Sequence, residues 1–199
     1  AIGLTNGVHT VVVTDNNGCT QSTTVTIDAP STLQVTVIGF TNPTCFGYTN
    51  GNASVSVSGG TPGYTYNWSS GGGTNATATN LGAGTYIVVV TDVNQCSTSQ
   101  TVTLTQPTQI IVNISPGGAV LCVNDSVTLT ATATGGTGSF NYSWNQGLGN
   151  GPTHIVFPST TTTYVVTAAN AQGCSAQDSV TITINTPPVA AFTASSQAS

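Results

Sequence analysis

Lysine, arginine, glutamate and methionine are all missing from this chain of 199 residues. The five acids are Asp15, Asp28, Asp92, Asp125 and Asp178, and charged residues make up 3% of the total against about a quarter in ordinary proteins. Each absence excludes a class of function. Without one cationic side chain there are no Arg or Lys contacts to phosphates, which supply most affinity for nucleic acids. A basic patch for an anionic membrane surface is excluded for the same reason. No run of about 18 apolar residues is present, so no transmembrane helix is expected. The first residues show neither a charged leader nor a small-residue cleavage site. They open inside a repeat, so the chain is expected to be an excerpt or processed product of something longer. Solubility has to come from hydroxyls and amides, and threonine alone is about a fifth of the residues.

What is present is repetition. Leu4, Gly7, the run Val11-Val12-Val13-Thr14-Asp15 and Cys19 recur 77 positions later as Leu81, Gly84, Val88-Val89-Val90-Thr91-Asp92 and Cys96. Val25 and Pro30 recur as Val102 and Pro107. A third copy, one residue longer, carries Tyr164-Val165-Val166-Thr167, Gly173-Cys174 and Val180-Thr181-Ile182. Self-similarity at roughly domain size indicates a modular array.

Within each copy the hydrophobic period is two, the mark of half-buried strands. Ala53, Val55 and Val57 alternate with serines before a Gly59-Gly60-Thr61-Pro62-Gly63 turn. Tyr64, Tyr66 and Trp68 then share a face, followed by the rows Tyr86, Val88, Val90 and Val102, Leu104. The last copy reproduces these rows with Phe140, Tyr142 and Trp144, with Tyr164 and Val166, and with Val180, Ile182 and Ile184. Short strands, frequent turns and a central tryptophan predict an all-β fold of tandem immunoglobulin-like (Ig-like) sandwiches. In the lettering of that fold the Trp strand is C, the Tyr-x-Val strand F and the last strand G. The core aromatics are then Trp68, Tyr66 and Tyr86 in one module, and Trp144, Tyr142 and Tyr164 in the next. Boundaries follow the prolines. Residues 1–29 are the last two strands of a truncated repeat, 30–106 and 107–186 are complete modules, and 187–199 are a linker and first strand of a following module. Junctions at Ala29-Pro30 and Gln106-Pro107 are short, and proline restricts itself and the residue before it, so a stiff file of modules is expected.

Cysteine spacing repeats too. Cys45 and Cys96 lie 51 apart (96 minus 45) and Cys122 and Cys174 lie 52 apart (174 minus 122). One bridge inside each module, Cys45–Cys96 and Cys122–Cys174, is the expectation, in an oxidising compartment. Cys19 aligns with Cys96 and stays unpaired within this segment. Zinc is the competing reading, but no C-x-x-C is present and histidine is scarce.

The string Pro43-Thr44-Cys45-Phe46-Gly47-Tyr48 through Gly59-Gly60-Thr61-Pro62-Gly63-Tyr64-Thr65-Tyr66-Asn67-Trp68 resembles the SprB repeat. So does the ending Leu81 through Tyr86, Asp92, Asn94 and Cys96. The third module, with Thr160 to Thr167 and Gly173-Cys174, is nearer to related Ig-like repeats of the same proteins. Pro188-Val189-Ala190-Ala191-Phe192 resembles the opening of a PKD-type domain. The resemblance implies a very large surface adhesin of gliding bacteria, exported by type IX secretion and displayed outside the cell.

Chemistry is sparse. His9 occupies the slot of Tyr86 and Tyr164, so it reads as a strand residue, and His154 stands in a variable stretch with no acid near it in sequence. No convergent acid, base and nucleophile set emerges, and no enzyme and no cofactor are expected. Asp15 and Asp92 with nearby asparagines offer calcium one carboxylate each, too few for the usual site, and a turn role fits better. Asp125-Ser126-Val127 and Asp178-Ser179-Val180 match an Asp-Ser/Thr-apolar pattern seen in bacteria of the resembled group, making Ser126 and Ser179 candidate O-glycosylation sites. Phe46 and Tyr48 are the aromatics available to sugars. The resulting expectation is a structural extracellular stalk of a surface adhesin or filament, whose partners are neighbouring repeats of the same or an identical chain and surface glycans. The alternative is a self-assembling filament subunit, its residues 1–29 completed by strands of a neighbouring copy.

Overall fold

The computed structural model describes residues 2–186 and Pro188. The expected strand in 187–199 therefore falls, Pro188 apart, outside the described residues. Sixteen strands form in the described chain, which divides into two compact units. One comprises Ala1–Thr41 and Asn52–Thr103, the other Asn42–Gly51 and Leu104–Ser199. Residues 42–51, placed by sequence in the module 30–106, thus belong to the second unit.

The first unit opens with a hairpin of β1 (Gly7–Thr14) and β2 (Thr20–Ile27). Six strands follow: β3 (Gln34–Thr41), β4 (Gly51–Ser58), β5 (Thr65–Trp68), β6 (Thr77–Leu81), β7 (Gly84–Thr91) and β8 (Ser97–Leu104). They make two three-stranded sheets, β3-β4-β6 and β5-β7-β8. That is the A-B-E and C-F-G division of an Ig-like sandwich. Alternation decides the faces. Along β7, Tyr86, Val88 and Val90 are buried while Ile87 and Val89 are exposed. Against them stand Ala53 and Val55 of β4 and Ala78 and Leu81 of β6, all buried.

The second unit repeats the plan. Its strands are β9 (Ile111–Ser115), β10 (Ala119–Cys122), β11 (Val127–Thr134), β12 (Phe140–Trp144), β13 (Gly149–Asn150), β14 (Thr153–Val156), β15 (Thr162–Asn170) and β16 (Ser175–Asn185). The order β14-β11-β9 is again E-B-A. The facing sheet, β10-β16-β15-β12-β13, is C-F-G with a parallel strand added at the G edge and a two-residue antiparallel strand at the C edge. Leu129, Trp144, Val156, Tyr164, Val166 and Ile182 form the centre of its core.

The hairpin β1–β2 is a third copy of the F–G pair. Its strand limits coincide with those of β7 and β8 after the shift of 77. His9 pairs with Val25 as Tyr164 pairs with Val180, so the register matches that of β15–β16. Burial differs. Val11, Val13 and Val25 are 51%, 65% and 49% exposed, whereas their equivalents Val88, Val90 and Val102 are at most 6% exposed. The hairpin has the inward row of a sandwich and no described sheet opposite it.

Candidate functional site

The feature that distinguishes the repeats chemically is a pair of cysteine-bearing turns. The F–G turn occurs three times with one geometry. The Asp92 backbone N–H donates to the Cys96 carbonyl at 2.9 Å, and the Gln95 N–H to the Asp92 carbonyl at 3.1 Å. Asp92 Oδ1 accepts the N–H groups of Asn94 and Cys96, both at 2.9 Å. Around Asn170 the same four bonds involve Gln172, Gly173 and Cys174. Around Asp15 they involve Asn17, Gly18 and Cys19. An Asx side chain accepting from the backbone two residues on is what selects Asp or Asn here. The residue before each cysteine has positive φ: Gly18, Gln95 and Gly173.

In the two complete modules a second tie holds this turn to the Gly-Gly-Thr turn between strands B and C. Asp92 Oδ2 accepts the Thr61 N–H at 3.0 Å, and Asn94 Nδ2 donates to Thr61 Oγ1 at 2.8 Å. In the second unit the polarity reverses, with Asn170 Nδ2 donating to the Thr137 carbonyl at 3.1 Å. Asp92 and Asn170 are both buried. The Thr61 N–H, foremost, together with those of Cys96 and Asn94, holds the Asp92 carboxyl below its ordinary range against the opposing effect of burial. Gly59 and Gly135 have positive φ, and a Cβ on either would run into the carbonyl oxygen of Thr32 or Gln109. The glycines of the turn are there because the strand A lead-in passes too close for any side chain.

The other cysteine turn lies between A and B. The Tyr48 N–H donates to the Cys45 carbonyl at 3.2 Å across Gly47, and the Asp125 N–H to the Cys122 carbonyl at 3.1 Å across Asn124. Gly47 and Asn124 share φ values of 75° and 76°.

The bond observed is Cys45–Cys174, spanning 129 residues, with a Cα separation of 5.6 Å. Cys19, Cys96 and Cys122 are free and exposed. This corrects the expected pairs Cys45–Cys96 and Cys122–Cys174, and the reason is directional. Cys122 is in register with Asn185, at the far end of β16 from Cys174. Eleven residues at about 3.3 Å each separate them by roughly 36 Å, against a limit of about 7 Å between bonded Cα atoms. In the middle module likewise, the A–B connection leads into Gly51 at the start of β4. The F–G turn stands at the other end, where Gly60 lies against Asp92. Spacing of 51 or 52 residues marks equivalent positions in a repeat; it carries no information about which end of a sandwich each position occupies.

Three further bonds hold the Cys45 loop in place. The Thr105 N–H donates to Asn42 Oδ1 at 2.9 Å, the Gly47 N–H to Gln106 Oε1 at 2.8 Å, and the Thr44 N–H to Asn50 Oδ1 at 3.1 Å. Asn42 and Gln106 gave no signal in the sequence, since single amides in loops have no periodicity. Beside the bond lies a shallow cavity of about 170 Å³ lined by Phe46, Tyr48, Pro107, Ile110 and Ala176. Phe46 and Tyr48 are about half exposed.

The remaining candidates are placed as follows. Trp68 and Trp144 are 3% and 7% exposed, and each indole N–H donates to a carbonyl seven residues on, of Asn75 and Gly151. Tyr86 and Tyr164 are buried, and Tyr66 and Tyr142 partly so. Burial raises the Tyr164 hydroxyl above its ordinary pKa. The Tyr86 hydroxyl donates back to the Gly82 carbonyl, the arrangement of the tyrosine corner in Ig sandwiches. Ser126 and Ser179 are exposed. Their neighbouring acids serve the fold: Asp125 Oδ2 accepts from the Cys122 N–H and Asp178 Oδ2 from the Ile114 N–H. His9 is a β1 residue whose Nε2 lies 2.7 Å from the Thr5 carbonyl. His154 lies in β14, edge-on to Trp144. Among the described residues no group of three His, Cys, Asp or Glu is arranged to hold a metal. Nor is any helix there long and apolar enough to cross a membrane.

The SprB repeat family model matches residues 38–73 and 120–149, one stretch in each complete module, so the likeness extends to the module whose sequence is nearer to related Ig-like repeats. No curated protein matches the chain. Among solved structures, an I-band fragment of titin has 15% identity and a TM-score of 0.43, over 92% of this chain and 75% of that one. The fibronectin(III)-like modules of Clostridium thermocellum CbhA have 16% identity and a TM-score of 0.38, over 82% of this chain and all of that one. The Ig-like assignment stands on the strand order described above.

Proposed function

We propose that this chain is a load-bearing stalk segment of a cell-surface adhesin or surface filament, a spacer that keeps an adhesive tip away from the cell. The observation that carries this reading is the Cys45–Cys174 bond, which begins in one SprB repeat and ends beyond the next repeat boundary. A chain pulled from its two ends transmits force through that bond. The residues between the cysteines, 129 in sequence separation, are bypassed, and tension on the ends cannot extend them while the bond holds. SprB repeats are associated with surface proteins, which supports an extracellular location, export by type IX secretion and a part in gliding motility. A disulfide also fits an oxidising exterior. Catalysis has no place in this reading, since Ig-like repeat modules are typically structural. Neighbouring repeats are the principal partners, and surface glycans have Phe46 and Tyr48 to stack on.

Single-molecule pulling tests the proposal. With the bond intact, the 129 residues stay hidden. Reductant then releases about 450 Å of additional length, at about 3.5 Å per residue. Release of that length before reduction would remove the load-bearing role.

One observation favours a second reading, that of a self-assembling filament subunit. The exposed row Val11, Val13 and Val25 matches strands that are covered in both complete modules. In a filament, strands of a neighbouring copy would supply the missing sheet.

A further inference from the structure

The turn that follows strand A is built twice, and only one copy bears aromatics. The N–H of Tyr48 closes on Cys45 as that of Asp125 closes on Cys122, with positive φ at Gly47 and Asn124. Phe46 and Tyr48 stand where the second copy has Val123 and Asp125. The backbone geometry therefore calls for an aromatic at neither position. Phe46 and Tyr48 are 49% and 50% exposed all the same. A single exposed aromatic is ordinary, whereas two that line one cavity mark a ligand surface.

The cavity, of about 170 Å³, lies wholly within the second unit, and its lining narrows what fits. Thr108, Gln109 and Ser175 line it with the two aromatics, and no acid or histidine does. Tyr48, Thr108, Gln109 and Ser175 are all exposed. The bonds that fix the loop are made by Asn42, Asn50 and Gln106 and use none of those four side chains. An anion finds no partner here, because the chain has no Lys or Arg, and a cation finds no carboxylate. What fits is a neutral molecule with an apolar face and a rim of hydroxyls. A pyranose ring is of that kind. Its C–H face lies against the electron-rich face of an aromatic ring, and its hydroxyls both donate and accept. The size agrees, since the volume falls short of the roughly 300 Å³ at which pockets for drug-sized ligands begin.

We infer that the cavity beside the Cys45–Cys174 bond is a subsite for one neutral sugar ring of a glycan, stacked on Phe46 and Tyr48 and hydrogen-bonded by Thr108, Gln109 and Ser175. The subsite rests on the reading that surface glycans are partners, and adds to it a place and a charge preference. It is ready before the ligand arrives. The disulfide fixes Cys45, and the amides of Asn42, Asn50 and Gln106 fix the residues around it, so binding has no loop to order. An acidic sugar is rejected, because its carboxylate would lose water with no cation to pair with.

Amide NMR of the oxidised chain tests it, with the methyl glycosides of glucose, galactose, mannose and N-acetylglucosamine as probes. At least one is expected to shift the amides of Gly47, Tyr48, Thr108 and Ser175 saturably, while methyl glucuronide leaves them in place. Phe46→Val with Tyr48→Asp installs the residues of the equivalent turn, so the fold is expected to hold, as amide dispersion and the retained disulfide verify. That variant is expected to bind at least about tenfold more weakly, through loss of the stacking faces. Ser175→Ala, which removes one exposed hydroxyl, is expected to weaken binding about fivefold. Unchanged affinity in either variant, or an equal response to the glucuronide, overturns the inference. So does a sugar that shifts only amides elsewhere, a result that keeps glycans as partners and removes this subsite. No response to any of the four sugars removes the subsite and the glycan partner together. Shifts of the same amides on concentrating the protein alone seat a second copy there and also overturn it. The stalk reading, tested by pulling, is untouched by each of these results.

Discussion

Asp92 Oδ2 accepts the backbone N–H of Thr61 at 3.0 Å, joining two turns 31 residues apart. The carboxyl is held below its ordinary value of 3.8 by that bond first and by the Cys96 and Asn94 N–H groups after it. A carboxyl whose folded pKa is lowered stabilises the fold at every pH above its unfolded value. That contribution is lost as pH falls through the folded value. Asp92→Asn leaves Thr61 without its acceptor and is expected to unfold earlier than the parent at neutral pH. The gap is expected to begin closing as pH falls below 3.8 and to be gone once pH has fallen through the lowered folded value, where the parent carboxyl takes up its proton. Thermal unfolding followed against pH checks this, and a gap independent of pH would assign the effect to packing.

Trp68 and Trp144 are both buried and make the same indole bond seven residues on. Truncating either to alanine removes a large core side chain together with its indole bond, which is expected to destabilise its module by about 3–5 kcal/mol. Trp68→Phe keeps most of the volume and loses only the bond to the Asn75 carbonyl, so its cost should be smaller. Denaturant unfolding measures both. Similar midpoints for Trp68→Ala and the parent would show that the centre of the core lies elsewhere.

Digestion with trypsin is of no use on a chain without Lys or Arg, so the bond pattern has to be read with chymotrypsin or thermolysin. Cys45 linked to Cys174 is the only intrachain pair expected, with Cys19, Cys96 and Cys122 alkylated. Replacing Cys45 and Cys174 by serine is expected to cost about 5 kcal/mol in the chain-entropy model for a loop of 129 residues. A loss confined to the loop 42–51, read from hydrogen exchange, would instead point to a local clasp.

Strand positions and inward faces were legible because alternation of Val, Tyr and Trp with Thr and Ser is a local signal. The repeat period carried the equivalence of Cys19, Cys96 and Cys174 as well. Bond partners were not legible. Whether Cys45 meets Cys96 or Cys174 depends on which end of the sandwich each turn occupies, a consequence of strand order that spacing does not encode. The reversed polarity at Asn170 was hidden for a related reason. Asp and Asn both cap the turn, and only the position of Thr137 opposite shows that the side chain donates there. Asp178 read as part of a glycosylation pattern, yet its carboxylate binds the Ile114 N–H, 64 residues away, a contact no local motif announces.

The hairpin offers the last prediction. Val11, Val13 and Val25 present an apolar row that in the complete modules is buried almost completely. Two strands alone are marginal in water, so this row favours any sheet able to cover it. Covering each valine is worth on the order of 1.5–3 kcal/mol, enough to drive association of copies that expose it. Val11→Thr with Val13→Thr keeps β-branched residues suited to strands and removes most of the apolar gain. In sedimentation equilibrium under reducing conditions, which silence the exposed thiols, the parent is expected to associate and the double variant to stay monomeric. The unfolding midpoints of the complete modules should not move, because neither residue belongs to their cores. Equal association of parent and variant would show that the row is no docking face and would remove the support for strand exchange between copies. The stalk reading, which needs only the Cys45–Cys174 bond, would then stand alone.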